Sequence, residues 1–139
     1  MSVLRLLLTE DHAAFRGALE FVPNRQLDLQ VVGRCGSLAE CRALRNLGNV
    51  DVTLLDLHLP DGDGADLIED LREANPRMKV LILSASPESG LQERMARSGA
   101  DAVIDKTVGP VDIANDVRRL GGTPMGPEDT GTDTDRDGG

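Results

Sequence analysis

The sequence predicts an α/β fold in which a parallel sheet is covered by helices on both faces. Three observations carry this. Five short runs rich in Leu, Val and Ile recur along the chain; each is nearly continuous in apolar residues instead of alternating; and each is followed by a stretch long enough for a helix. A strand that is apolar on both sides must be buried on both sides, which is the condition of a parallel sheet with helical crossovers.

The strands are Val3 to Leu8, Leu29 to Val32, Val52 to Leu55, Val80 to Leu83 and Ala102 to Ile104. A first helix over His12 to Val22 places Ala14, Phe15, Ala18, Leu19 and Val22 on one face. The second opens with the capping box Ser37-Leu-Ala-Glu40, in which each side chain satisfies an exposed backbone N–H, although its apolar stripe drifts. Leu67, Ile68 and Leu71 mark the third, which stops before Asn75-Pro76 because proline cannot continue a helix. The fourth starts at Ser86-Pro87 and ends at Gly99. The fifth carries Ile113, Ala114, Val117 and Leu120 and stops at Gly121-Gly122. Five βα units joined by right-handed crossovers lead to a flavodoxin-like (βα)5 three-layer sandwich with strand order 2-1-3-4-5.

Composition sets the limits. The 139 residues, 40% of them hydrophobic, suit one domain, assigned to residues 1–120. With two Phe, no Trp and no Tyr the core is aliphatic, and stacking on nucleobases is not its mode of binding. A net charge of −9 argues against direct binding to DNA or RNA, which requires a Lys/Arg surface. Cys35 and Cys41 make neither a disulfide framework nor a four-ligand zinc site and read as reduced thiols, which favours the cytoplasm. The opening MSVLRLLLTED is too short and too soon interrupted by charge for a secretory signal, and no run is long enough to span a bilayer. Residues 121–139, GGTPMGPEDTGTDTDRDGG, lack a core-forming pattern and read as a disordered acidic tail or linker.

In the 2-1-3-4-5 order the first and third strands are neighbours, and the crevice at their carboxyl ends is where open α/β sheets bind ligands. Glu10 and Asp11 follow strand one, and Asp56 closes strand three. Carboxylates held this close raise one another's pKa unless a cation sits among them, and hard oxygen donors with room for water suit Mg2+. Ser84 and Lys106, at the ends of strands four and five, face the same edge. A hydroxyl and an ammonium beside such a cup make sense for a phosphoryl group, whose oxygens they would neutralise and hydrogen-bond, with Asp56 as the nucleophile that accepts it.

Glu10-Asp11, Asp56 in LLDLHLPDGDG, Ser84 in LILSAS and Lys106 in VIDK together resemble the receiver domain of two-component response regulators, over residues 3 to about 120. The EDH motif is similar to that of receivers that precede helix-turn-helix output domains. The resemblance implies that Asp56 takes a phosphoryl group from a phosphohistidine on a sensor histidine kinase or histidine phosphotransfer protein. It also implies direct Mg2+ ligation by Asp11, Asp56 and the backbone carbonyl of His58, a water-mediated contact from Glu10, phosphate pairing by Lys106, and movement of Ser84 toward the phosphate. Many members also pair as homodimers through helices four and five when phosphorylated. Such a domain assists its own phosphorylation and dephosphorylation but turns over no separate substrate.

Two positions depart from the family pattern. Val103 stands where members usually carry Tyr or Phe, three residues before the lysine, and Thr107 follows Lys106 in place of the frequent proline. Val103 leaves open a receiver that docks partners without phosphorylation. An aspartate-nucleophile phosphatase is disfavoured because TEDH lacks the Asp-x-Asp of such enzymes. A flavin or nucleotide binder is disfavoured because Glu10 and Asp11 would repel phosphate. His12 and His58 lack a third placed partner for zinc and read as solvent-facing.

Overall fold

Leu6 and Leu8 face one side of the first strand and Leu7 the other, and all three are fully buried, so the sheet carries a separate core on each face. The computed structural model describes residues 3–24, 28–85 and 89–121. Numbering only the strands of the main sheet, these are β1 (Leu4–Thr9), β2 (Leu29–Cys35), β3 (Val52–Asp56), β4 (Lys79–Ser84) and β5 (Ala102–Asp105). They lie parallel in the order β2-β1-β3-β4-β5, the flavodoxin-like order the sequence predicts. A short ladder pairs His58–Leu59 with Gly62–Asp63.

The helices are α1 (Ala13–Asn24), α2 (Leu38–Arg42), α3 (Ile68–Ala74), α4 (Leu91–Arg97) and α5 (Pro110–Gly121). Leu38 and Cys41 of α2, Ile68 and Leu71 of α3, and Leu91 and Met95 of α4 pack with Leu7, Leu55, Val80 and Ile82 on one face. Leu19 of α1 and Ile113, Ala114 and Val117 of α5 pack with Leu6, Leu8, Leu54, Leu81 and Leu83 on the other. Gly121 ends α5 against Val52 and Leu4, so close that a Cβ would come within 2.9 Å of the Val52 side chain.

Several boundaries differ from the sequence reading. The α1 face holds Leu19 and the partly buried Phe15 against the core, but Ala14 is exposed in the first turn, beside the exposed Asp11 and His12. The side chain of Val22, the Ser86-Pro87 start of the fourth helix and the acidic tail lie outside the described residues; the described α4 begins at Leu91 after Gly90 in the left-handed region. The second helix is one turn, followed by a 3-10 turn over Leu47–Asn49. Its cap is only partly the expected box. Ser37 Oγ accepts from the Glu40 N–H at 3.0 Å, but Glu40 reaches past the cap residue to the Gly36 N–H at 2.6 Å. Asp61, from the loop after β3, takes the Leu38 and Ala39 N–H groups at 2.8 and 3.0 Å.

Candidate functional site

The carboxyl edge of the sheet brings the chemistry together. Thr9 pairs with Leu55, Asp56 with Leu83 and Ser84 with Asp105, so β1, β3, β4 and β5 end at one level and their carboxyl ends open into one crevice. Asp56 is held there by a tight local fold. The His58 N–H donates to its Oδ1 at 3.1 Å, and the Gly64 N–H donates to the Leu57 carbonyl at 2.7 Å. Gly64 lies so close that a Cβ on it would stand 2.0 Å from the Asp56 carbonyl oxygen. The glycine in LPDGDG is therefore required by close approach of backbone to backbone.

Lys106 enters from the end of β5. Its Nζ lies 3.2 Å from Asp56 Oδ2 and 3.0 Å from Glu10 Oε1, and the Phe15 ring centroid is 4.9 Å away. Phe15 thus supplies an aromatic wall to the ammonium, a role that the helical pattern conceals because a helix-face Phe reads as core. Glu10 is fully buried, with its N–H donating to the Cys35 carbonyl at 2.9 Å and its Oε2 accepting from the His12 N–H at 3.1 Å. Its Oε1 has no aligned hydrogen-bond donor among the described residues; the Lys106 contact is an ion pair by distance only.

Burial and charge together set the titration of the pocket. Burial pushes the Asp56 carboxyl above its ordinary value, helped by Glu10 and opposed by the His58 N–H and Lys106. Burial works against the Lys106 ammonium, but its contacts with Glu10 and Asp56 outweigh it and hold Lys106 above the ordinary lysine value.

Glu10, Asp11, His12 and Asp56 can each point one ligand atom into a cluster in which all lie within 4.8 Å of one another. Three of the four are hard carboxylate donors, and Glu10 Oε1 is a buried oxygen without an aligned partner, so the residues fit a divalent cation such as Mg2+. Asp11 stands at the exposed rim, while Glu10 forms the floor. His12 is exposed, as read from the sequence, yet its Nδ1 lies 3.2 Å from Glu10 and 3.6 Å from Asp11, a contact that isolated-histidine reasoning missed. His58 contributes its backbone N–H to Asp56, and its side chain is exposed. Ser84 is buried at the end of β4 and lines a cavity of about 330 Å³ with Leu57, His58, Asp63 and Arg94. Val103 pairs with Ile82 in the sheet and is partly buried, beside a cavity of about 70 Å³ also lined by Gln92, Met95 and Ala96.

Fold and site define a doubly wound α/β domain whose crevice between β1 and β3 holds a buried carboxylate ion-paired to lysine within an acidic, cation-ready cluster. The response regulator receiver domain family matches residues 6–118, and the chain belongs to that family. It is 33% identical over 121 residues to the DNA-binding transcriptional activator DevR/DosR of Mycobacterium tuberculosis, covering 86% of this chain and 55% of the relative. It is 31% identical over 116 residues to the response regulator protein VraR of Staphylococcus aureus, covering 84% and 56%. The chain thus spans about half the length of these curated relatives. Among solved structures, the signal receiver domain of the putative response regulator NarL from Mycobacterium tuberculosis matches with a TM-score of 0.77 and 25% identity, over 87% of this chain and 98% of that one. The chain is a receiver domain of the two-component response regulators, a signal-transduction module. Among the described residues, no helix is long and apolar enough to cross a membrane.

Proposed function

We propose that Asp56 is the phosphoacceptor of this receiver and that its phosphorylation switches the surface formed by α4, β5 and α5. The observation that carries the reading is the placement of Asp56 Oδ2, buried at a strand end and 3.2 Å from Lys106 Nζ. A carboxylate in a tight hydrogen-bonded turn presents a fixed oxygen to an incoming phosphorus atom. That oxygen forms the new P–O bond as the P–N bond of a donor phosphohistidine breaks. Lys106 neutralises the transferred group's oxygens, and Ser84 donates a hydrogen bond to one of them. Glu10, Asp11, Asp56 and the His58 carbonyl are the groups to hold Mg2+, which when bound supplies charge neutralisation to phosphoryl oxygens.

The partner that delivers the phosphoryl group is a sensor histidine kinase or a histidine phosphotransfer protein, acting in the cytoplasm, and no separate substrate is turned over. Residues 1–120 form the receiver and 121–139 an acidic tail or linker. The relative DevR/DosR is a DNA-binding transcriptional activator, so the output of the switch is control of a DNA-binding unit, with pairing of two copies through α4 and α5, not nucleic-acid contact by this acidic domain. Val103, in place of a bulky aromatic, makes the rearrangement of the α4–β5 surface smaller than an aromatic switch would.

Incubation with acetyl phosphate and Mg2+ is expected to add one phosphoryl mass to the protein, and Asp56→Asn to abolish it. Unchanged labelling in that variant refutes the assignment, and labelling of neither protein favours a receiver that works by docking alone.

A further inference from the structure

Glu10 is gripped from two sides. Lys106 Nζ stands 3.0 Å from its Oε1, while His12 Nδ1 stands 3.2 Å from its Oε2 and 3.6 Å from Asp11 Oδ1. The backbone sets the imidazole there, because the His12 N–H donates to the same Glu10 Oε2 at 3.1 Å. One donor atom each from Glu10, Asp11, His12 and Asp56 lies within 4.8 Å of every other. The phosphotransfer proposed above uses the carboxylates and leaves the imidazole without a task.

We propose that His12 is a metal ligand and that it makes this pocket a site for Zn2+, in competition with Mg2+. The inference rests on the reading of this edge as a cation pocket, but not on phosphoryl transfer to Asp56.

Four features support it. The first is donor chemistry. Mg2+ takes oxygen donors and gains little from an imidazole, whereas nitrogen beside carboxylate oxygens is a donor set that Zn2+ accepts and binds more tightly. On sequence alone His12 lacks placed partners for zinc; the fold supplies three carboxylates, which complete a set of four protein ligands. The second is charge. Three carboxylates and the Lys106 ammonium leave two negative charges for a divalent ion to balance, and a neutral imidazole adds a donor without altering that balance. The third is the orphaned oxygen. Glu10 is fully buried, and its Oε1 has no aligned hydrogen-bond donor among the described residues, so a carboxylate at the floor of the cluster is held ready for a ligand. The fourth is reach. Donor atoms that share one ion through bonds of about 2.1 Å lie at most about 4.2 Å apart, so the cluster must contract slightly. The His12 side chain, 72% exposed, is free to turn inward and close it. His58, the other histidine of the chain, is not part of the cluster.

The consequence for the switch is competition at the pocket floor: Zn2+ held by Asp11 and Asp56 takes oxygens that Mg2+ would otherwise hold. His12 thus sets which ion the acidic edge prefers.

The test is calorimetric titration of the full chain at pH 7 with Zn2+, with Mg2+, and with Zn2+ in the presence of Mg2+. The wild-type protein is expected to bind Zn2+ about a hundredfold more tightly than Mg2+, and added Mg2+ to weaken the Zn2+ affinity as a competitor does. His12→Gln, a change at an exposed side chain that keeps the backbone N–H on Glu10, is expected to lower the ratio of Zn2+ to Mg2+ affinity about tenfold or more. Proton–nitrogen NMR of the imidazoles reads the ligand directly. The His12 Nδ1 resonance is expected to move with Zn2+, to return with EDTA and to stay in place with Mg2+.

An affinity ratio in His12→Gln within twofold of the parent's overturns the proposal, as does an unmoved His12 resonance. Zn2+ uptake indifferent to Mg2+ overturns it too, since that places the ion elsewhere, for instance on Cys35 and Cys41. Mg2+ binding without any competition from Zn2+ overturns the proposal and leaves the cation pocket standing, whereas failure of both ions to bind the wild-type protein overturns the pocket as well.

Discussion

Asp51 immediately precedes β3 and Asp56 ends it, both almost wholly buried and both beside a basic side chain, yet they are different kinds of residue. Asp51 Oδ2 takes the backbone N–H of Arg5 at 2.8 Å and its Nε at 3.4 Å, its own N–H donates to the Arg5 carbonyl at 2.8 Å, and its carbonyl accepts from the Lys79 N–H at 2.9 Å. It fastens β1 and β4 to the start of β3. Asp56 meets one backbone N–H and one lysine, and shares that lysine with a second buried carboxylate, Glu10. A buried aspartate alone is therefore no sign of chemistry. The carboxyl end of the sheet is marked instead by surplus negative charge, which suits the pocket to a cation.

The contrast is broken most severely by exchanging the two aspartates' fates. Asp51→Ala strands the Arg5 N–H and is expected to cost about 3 kcal/mol while leaving phosphoryl labelling intact. Asp56→Asn is expected to lose labelling entirely and yet to melt higher than the parent without metal. The sign comes from burial: Asp56 has its folded-state value raised, so its contribution to stability fades as the pH rises through that value, and asparagine does not titrate. Thermal melts in EDTA at pH 7 check both, and a lower melting temperature for Asp56→Asn would show that the charge there is well paired after all.

Gly64 tests how far the Asp56 turn depends on backbone contact. A methyl group there cannot coexist with the Asp56 carbonyl oxygen at 2.0 Å, so Gly64→Ala is expected to destabilise by about 3 kcal/mol and to slow labelling, because the turn that fixes the acceptor must move. Denaturant melts together with the labelling rate check this. Normal labelling would mean that the turn can shift without moving the carboxylate.

Lys106 sharpens the comparison from the side of the pocket's positive charge. Lys106→Met leaves Glu10 and Asp56 facing each other without their shared ammonium, a change expected to cost about 2 kcal/mol in EDTA. Millimolar Mg2+ is expected to recover more stability in this variant than in the parent. Equal effects of Mg2+ on both would place cation binding elsewhere.

The same edge explains why some of the molecule was legible in its sequence and some was not. Apolar runs locate all five strands, but in β1, β3, β4 and β5 the run itself stops one residue short of the strand's end, before Thr9, Asp56, Ser84 and Asp105. The first three of these are polar and buried, the combination a hydrophobic pattern treats as a boundary. The acids and the lysine were legible because each lies at the end of a strand whose order was known. Phe15 over Lys106, Gly64 against Asp56 and Asn75 Nδ2 on the Leu47 and Val50 carbonyls were not, because their partners are far along the chain or are backbone atoms. The fit of α2 failed for a related reason. Only the Ser37 half of its local capping box forms, and further capping comes from Asp61, more than twenty residues away.

Asp61 gives the smallest effect and the clearest opposite of Asp56. It lies five residues further along, at the surface, and the Leu38 and Ala39 N–H groups hold its carboxyl below the ordinary value, where burial drives Asp56 above it. A carboxylate depressed by folding stabilises the fold above its unfolded value, and that contribution is lost as the pH falls through the folded one. Acidification below about pH 4 is therefore expected to loosen α2 after Asp56 has already taken a proton. In Asp61→Asn, which keeps one acceptor but has no charge to lose, amide exchange in α2 is expected to become independent of pH in this range once the intrinsic exchange rate is removed. Carboxyl NMR titration reads both groups in one experiment. Were Asp61 to titrate above Asp56, the separation of a surface cap from a reactive, charge-crowded edge would be the wrong way to divide this molecule.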